Sequence, residues 1–385
     1  MNKQEQDNRN NLEQINAKVP KGSFFFRHHV DIPLLLGLMI SLCFSLFILY
    51  SASGQHAEML YRQITRTGAA FFLMIIVAQI PPRLFVKISF WLYLIGIILL
   101  ILVELFGDIS KGAQRWLNLG FIRIQPSEIF KVVMPLTIAV FLSHSPLPPK
   151  PLTTLMAFAL VGIPTVLILL QPDLGTAVLV AVSGCIAIFI AGLSWWWIAA
   201  GFAAVAAALP VMWNFVLHDY QKQRVFTLLD PTSDPLGAGY HIIQSKIAIG
   251  SGGLYGKGWL QGSQSQLDFL PEPHTDFIFA VLAEETGLVG FLILMAIYSF
   301  IIGRCIYITL NANSSFSRIL CGAFTFTFVF YIFVNIGMVS GILPVVGVPL
   351  PLISYGGTAM LTLTVCFGII MSIHTHKKNS FFRKS

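Results

Sequence analysis

Of 385 residues, 56% are hydrophobic and 11% are charged, and the net charge is +7. A soluble globular domain carries about 25% charged residues, so the charge here is too sparse to coat a water-facing surface of this size. Nor does the positive excess point to nucleic acid, because it gathers at the two ends: Lys3, Arg9, Lys18, Lys21 and Arg27 at one, Lys377, Lys378, Arg383 and Lys384 at the other. That placement is the cytoplasmic bias of a membrane protein.

Runs such as Val86 to Phe106 and Leu174 to Leu193 stay apolar for about the 20 residues that a bilayer-crossing helix requires. Hydrocarbon leaves backbone groups unsatisfied outside a helix or a closed barrel. Barrel strands alternate polar and apolar residues, and these runs do not. The expected fold class is therefore an all-α polytopic membrane protein of about ten helices, near 32–51, 67–81, 86–106, 125–143, 152–170, 174–193, 195–215, 275–303, 316–340 and 354–374. The second is short and reads as partly re-entrant; the eighth is long enough to tilt or to project beyond the bilayer. Polar tails are expected over 1–30 and 376–385, around a membrane domain over 31–375. The first 30 residues lack the short apolar core and cleavage pattern of a signal peptide, so the first apolar run is expected to remain as a helix. Cys43, Cys185, Cys305, Cys321 and Cys366 lie in or beside apolar runs without a CxxC pair, which argues for packing roles rather than disulfides or zinc.

With ten helices both termini lie on one side. If that side is cytoplasmic, 14 of the 24 Lys and Arg residues lie inside, as positive charge resists translocation. Arg62, Arg66, Lys111, Arg115, Arg123, Lys222, Arg224, Lys246 and Lys257 then fall outside, where they can hold an anionic ligand. The segment 216–274 is too long for a connector. It contains Tyr240, Tyr255, Trp259 and Phe269, and Tyr240 to Ile249 has helical spacing, so a partly helical loop on the membrane surface is expected.

Five clusters carry chemistry. In the first, Arg115 and Arg123 precede Glu128 and Lys131, which are three apart and share a helix face; they read either as a buried ion pair fixing helix packing or as a polar cavity wall. In the second, Asp173 either caps the next helix or braces a basic neighbour. In the third, Ile249 to Trp259 is glycine-rich around Lys257, but Gly258 follows where a phosphate loop needs Ser or Thr. It reads as a flexible turn or as backbone N–H groups open to an anion. The fourth cluster is the most specific: Glu272, His274 and Asp276 crowd the mouth of a long apolar helix, with Glu284 and Glu285 following. Asp276 either stabilises the helix dipole or, with His274, transfers protons. In the fifth, prolines and glycines break the helical pattern from Leu343 to Thr358. Irregular backbone survives in a membrane only under protein or around a wet cavity, so Ser354 and Tyr355 are expected to line one.

In order along the chain, GAQRWLNLG, IRIQPSE, QPDLGT, PEPHTDFIFAVLAEE and LPVVGVPLPLISYGGT resemble the signatures of the SEDS family of bacterial cell-wall polymerases. The resemblance extends from about Asp31 to the last helix, and VVGVPLPLISYGGTA is more similar to the RodA branch, for elongation, than to the FtsW branch, for division. It implies a ten-helix peptidoglycan glycosyltransferase of the bacterial inner membrane that polymerises lipid II on the outer face. The implied partners are a class B penicillin-binding protein, which crosslinks the strands, the elongation machinery and membrane lipids. By motif, Asp276 matches the essential aspartate, and Glu128 and Lys131 the intramembrane pair.

These demands suggest roles. Arg115, Arg123, Lys222, Arg224, Lys246 and Lys257 are candidates for the substrate pyrophosphate, with a divalent cation, Mg or Mn, as an additional source of positive charge. His274, Ser354 and Tyr355 join them as substrate-binding candidates, Asp173, Glu272 and Glu284 as supporting groups, and Asp276 as the base that deprotonates the acceptor sugar hydroxyl. One base and no covalent intermediate would invert the anomeric centre. The alternatives are a flippase for lipid-linked precursors, a scaffold for the transpeptidase, and a division polymerase.

Overall fold

The computed structural model describes residues 29–381, excepting 111–112, 119–122, 217–218, 234–236, 268 and 271. The expected N-terminal tail falls almost wholly outside the described residues, whereas the last helix runs on to Phe381, through much of the expected C-terminal tail. The long helices are α1 (Ile32–Ala52), α2 (Ala57–Gln79), α3 (Pro82–Phe106), α4 (Pro126–Ser143), α5 (Pro151–Leu170), α6 (Leu174–Ile190), α7 (Trp195–Val211), α11 (Ile278–Leu310), α12 (Ser315–Val339) and α13 (Gly357–Phe381). Between α7 and α11 lie α8 (Asp219–Leu229), α9 (Ala238–Gly252) and the single turn α10 (Ser263–Gln266). Among the described residues, eight helices are long and apolar enough to cross a membrane, and α6 is a shorter apolar helix of 17 residues.

Local chemistry sets the helix starts. Asp31 caps α1 by accepting from Leu34 N at 3.0 Å, and Ser314 caps α12 by accepting from Ser317 N at 3.1 Å. Proline occupies the first turn of α1, α3, α4 and α5, where its missing N–H costs nothing.

Helices α4 and α12 form the centre, with 67% and 72% of their apolar windows buried, against 28% for α3 and α5. Around them, α4 packs on α3 and α6, α12 on α4, α6 and α11, α11 on α1, and α13 on α2. Exposed Phe90, Trp91, Leu105 and Phe106 on α3 are affordable only against lipid. The chain is a multi-pass helical membrane protein.

Several expectations are corrected. Helix α2 starts at Ala57, not 67, and spans 23 residues, so it is not short. Its first turns are charged but self-supporting, with Arg62 Nη2 2.5 Å from Glu58 Oε1. Three short strands, β1 (Asp108–Ser110), β2 (Ala113–Asn118) and β3 (Arg123–Ile124), form an unforeseen antiparallel sheet in the order β1-β2-β3 between α3 and α4. Helix α11 begins at Ile278 and breaks at Gly287, where φ is +62°. The loop over 216–274 is partly helical as expected, and α9 docks on α11, burying Ile242, Ser245 and Ala248. Ser245 Oγ also donates to the Val339 carbonyl at the end of α12, at 2.8 Å.

Candidate functional site

The turn before α11 places Asp276 two residues ahead of the first helical residue, with Phe277 at the cap position. Asp276 is therefore not the helix cap. Its backbone carbonyl accepts from Asn335 Nδ2 at 2.9 Å, and the same nitrogen donates to the Val348 carbonyl at 2.7 Å. Asn335 lies on α12 and is wholly buried. One amide thus joins the end of the long loop to the proline- and glycine-rich segment after α12. Gly347 in that segment has φ +75°, and a Cβ there would stand 3.4 Å from Asp276 Oδ2. The carboxylate accordingly lies over a residue with no side chain.

The same segment meets two other candidates. Tyr355 N donates to the His274 carbonyl at 2.9 Å, and the two rings meet edge to face, 5.9 Å between centroids. The Arg66 guanidinium lies over the Tyr355 ring, 5.0 Å from its centroid. Ser354 Oγ accepts from Leu350 N at 2.7 Å, closing the turn that presents Tyr355. Glu272 stands exposed just before, accepting from Thr275 Oγ1 at 3.2 Å.

Below this junction, Lys131 Nζ is 2.5 Å from Glu128 Oε1, both largely buried on α4. The ammonium also lies 5.8 Å over the Tyr331 ring, one helical turn before Asn335 on α12. Lys131, Tyr331, Val348, Ser354 and Gly356 line a cleft with about 420 Å³ of empty space, part of it open to the outside. Ion pair and cavity wall are therefore one arrangement: the pair exists, and its lysine faces the cleft.

Asp173 likewise fills both roles offered for it. Its Oδ1 accepts from Thr176 N at 3.3 Å, capping α6, while Oδ2 accepts from Gln125 Nε2 at 3.2 Å and lies 3.8 Å from Arg115 Nε. Arg115 Nη2 donates to the Pro172 carbonyl at 2.6 Å. This ties the short sheet to α6, whose Gly175 lies under the Val346 carbonyl, so the sheet braces the same irregular segment.

The glycine-rich loop forms a separate cluster. Lys257 Nζ is 2.8 Å from Glu284 Oε1 and donates to Ser263 Oγ at 2.7 Å. Glu284, fully buried, also accepts from Gln264 N at 2.9 Å. Lys257 N and Gly258 N donate to the carbonyls of Glu284 and Glu285, and a Cβ on Gly256 would overlap the Glu285 carbonyl. These N–H groups close onto the α11 break rather than opening to an anion. Glu285 accepts from Ser51 on α1. Lys246 is exposed on α9, its aliphatic chain over Gly341. Lys222 is half-buried on α8, Arg123 is exposed on β3, and the Arg224 side chain lies outside the described residues.

Asn335 and Tyr331 belong to the site but were not among the candidates, and Arg66 was foreseen only as one of the outer-face basic residues. A polar Asn and a Tyr within the apolar run of α12 were the available signal, as such residues are costly in a membrane helix.

A model of the FtsW/RodA/SpoVE cell-cycle protein family matches residues 25–379. The peptidoglycan glycosyltransferase MrdB of Escherichia coli K12 is 56% identical over 358 residues, covering 93% of this chain and 97% of that protein. A probable peptidoglycan glycosyltransferase FtsW of Coxiella burnetii is 36% identical over 353 residues, covering 90% and 94%. Among solved structures, a chain of a peptidoglycan synthase complex that coordinates polymerization and crosslinking aligns with TM-score 0.77 at 31% identity, covering 89% of this chain and 97% of that one. The rod shape determining protein RodA of Thermus thermophilus aligns with TM-score 0.68 at 27% identity, covering 89% and 96%. Matched over nearly its whole length by model, sequence and structure, the chain belongs to the SEDS family, on its RodA side.

Proposed function

We propose that this protein is a peptidoglycan glycosyltransferase that polymerises lipid II on the outer face of the bacterial inner membrane, for cell elongation and rod shape. Both termini are then cytoplasmic, and the partner is a class B penicillin-binding protein with the elongation machinery around it. The observation that carries the reading is the junction at Asp276, where a carboxylate at the end of the extramembrane loop meets a broken segment lining a cleft between spans. Surface chemistry on a lipid-linked sugar needs that combination: water-side access for the sugars and an apolar bundle beside it for the prenyl chain.

In the mechanism, Asp276 takes the proton from the acceptor 4-hydroxyl as its oxygen attacks the donor's anomeric carbon. The new glycosidic bond forms as the bond to the polyprenyl pyrophosphate breaks, with inversion. The leaving pyrophosphate needs positive charge. Arg66, stacked on Tyr355 beside His274, and Lys131 in the cleft are suited to supply it, with Lys246, Lys222 and Arg123 further candidates. Among the described residues no three His, Cys, Asp or Glu side chains converge as a cation cage. Mg or Mn would thus be held chiefly by the pyrophosphate, and polymerisation with and without a chelator measures that contribution.

The test is polymerisation of lipid II by purified Asp276→Ala beside its transpeptidase partner. A lost general base lowers turnover by about 10²–10⁴-fold; full activity in a folded variant rejects the assignment. Flipping of lipid II in liposomes without polymerisation would favour the transporter reading instead.

A further inference from the structure

We propose that Asn335 is the positioning residue for Asp276, holding the aspartate at the distance and angle its proton transfer requires; this rests on the reading of Asp276 as the base. The side chain is wholly buried on α12. Both of its near partners are carbonyls, Asp276 O at 2.9 Å and Val348 O at 2.7 Å, so the amide nitrogen must face them, since an oxygen in that place would face two acceptors. The two carbonyls come from segments with no regular structure of their own: the turn over 273–277 and the irregular stretch over 344–356. Tyr355 N already ties one to the other at the His274 carbonyl, and the amide adds a second tie, at Asp276 itself. A shared donor on a rigid central helix sets the position of both at once.

The other end of the amide strengthens the argument. Asn335 Oδ1 is buried without a hydrogen-bond partner. An orphaned buried acceptor costs stability; leucine, of similar size, would remove that cost but would leave the Asp276 and Val348 carbonyls without their donor. The amide is therefore a net cost to packing at its oxygen, and its use lies in the two N–H bonds. Those bonds act one residue from the place where Asp276 Oδ2 rests over Gly347, because Val348 is the next residue. Loosening them frees the carboxylate and its support together. Tyr331, one turn earlier on the same helix face, meets Lys131, so α12 references the aspartate to the charged pair across the cleft.

The experiment measures kcat and KM for lipid II with the purified complex of this chain and its transpeptidase partner. Asn335→Leu removes both donors and also the orphaned oxygen. We expect kcat to fall about 100-fold, the effect of misplacing a reacting group by about 1 Å. KM should stay within about threefold, and resistance to heat should fall, because two carbonyls lose their donor. The deciding readout is kcat per folded molecule: a residue that merely supports the fold would lose heat resistance while that kcat held. If Asn335→Leu fails to fold, Asn335→Ser decides by the same kcat against KM split. Asp276→Ala runs in parallel. If Asp276→Ala remains active, the reading of the base fails whatever Asn335 does. If Asp276→Ala is inactive while Asn335→Leu turns over like the parent, the positioning role alone is rejected.

Discussion

Lys257 lay among the basic residues expected to hold the substrate, yet its ammonium is engaged by Glu284, and the consequence can be measured. Glu284 is fully buried and receives Lys257 Nζ at 2.8 Å, Gln264 N at 2.9 Å and Ser263 Oγ at 3.1 Å. Lys257→Ala removes the one charge among these partners and leaves a carboxylate in the interior with two neutral donors. Breaking a buried pair in this way costs about 3–5 kcal/mol, and the lysine side chain, 29% exposed, puts the expectation near the lower end, about 3 kcal/mol. Combining Lys257→Met with Glu284→Gln removes both charges and keeps an amide oxygen for Gln264 and Ser263, so that variant should lie within about 1 kcal/mol of the parent. The assay is the monodisperse fraction left after a heat step in detergent, followed by polymerisation of lipid II. The single variant should be lost at lower temperature, and the paired variant should survive and polymerise. A Lys257→Ala protein as heat-resistant as the parent would refute the clamp. A stable paired variant that cannot polymerise would return Lys257 to the substrate.

The other ion pair invites the same comparison with a different expectation. Lys131→Met strands Glu128, which is nine-tenths buried, and should cost about 3 kcal/mol. Adding Glu128→Gln should restore heat resistance but not polymerisation, because Lys131 also faces the cleft; recovery of both would make the pair purely architectural. Arg115→Ala loses the bond to the Pro172 carbonyl and the approach to Asp173. With the side chain about one-third exposed, the loss should be about 1 kcal/mol, seen as faster hydrogen exchange over 113–118. Gly347→Ala puts a side chain at φ +75°, a strain of roughly 1–2 kcal/mol. Its methyl would also touch the Asp276 carboxylate, so turnover should fall further than stability does, which kcat measured per folded molecule will show.

Most of the long helices were legible because a lipid-facing helix must be apolar for its whole length, and such a run has few other readings. The places that were not legible have a common origin. The first half of α2 carries Glu58, Arg62 and Arg66 and so lacks apolar continuity, although its own charges pair along the helix. Strands of three, six and two residues are too short for alternation to register, and the sheet takes its seat from long-range contacts, those of Arg115 with the start of α6 and of β2 with α3 and α4. The break at Gly287 is invisible within an apolar run because an isolated glycine is tolerated in a helix. The requirement for it comes from outside, where Leu288 N and Val289 N turn to the carbonyls of Gly253 and Leu254.

The site divides along the same line. Residue types announce a demand, and long-range geometry decides who meets it. A lysine in a glycine-rich loop and a buried glutamate 27 residues later are each explicable by a substrate: the lysine can bind a phosphate and the glutamate can face a cavity. Their contact at 2.8 Å lets each answer the other's charge, which no local pattern foretells. Asp276 was conspicuous because it ends a polar loop at the mouth of an apolar helix, but the means of holding it was not. Asn335 is one of several polar residues in a 25-residue, mostly apolar helix, and Val348 and Gly347 are ordinary members of an irregular stretch. They acquire a role only when the turn before α11 and the segment after α12 are brought onto one amide. A loop supplies the reactive group, and a central helix far away in sequence supplies its coordinates, which is why the chemistry could be read residue by residue while its geometry required the fold.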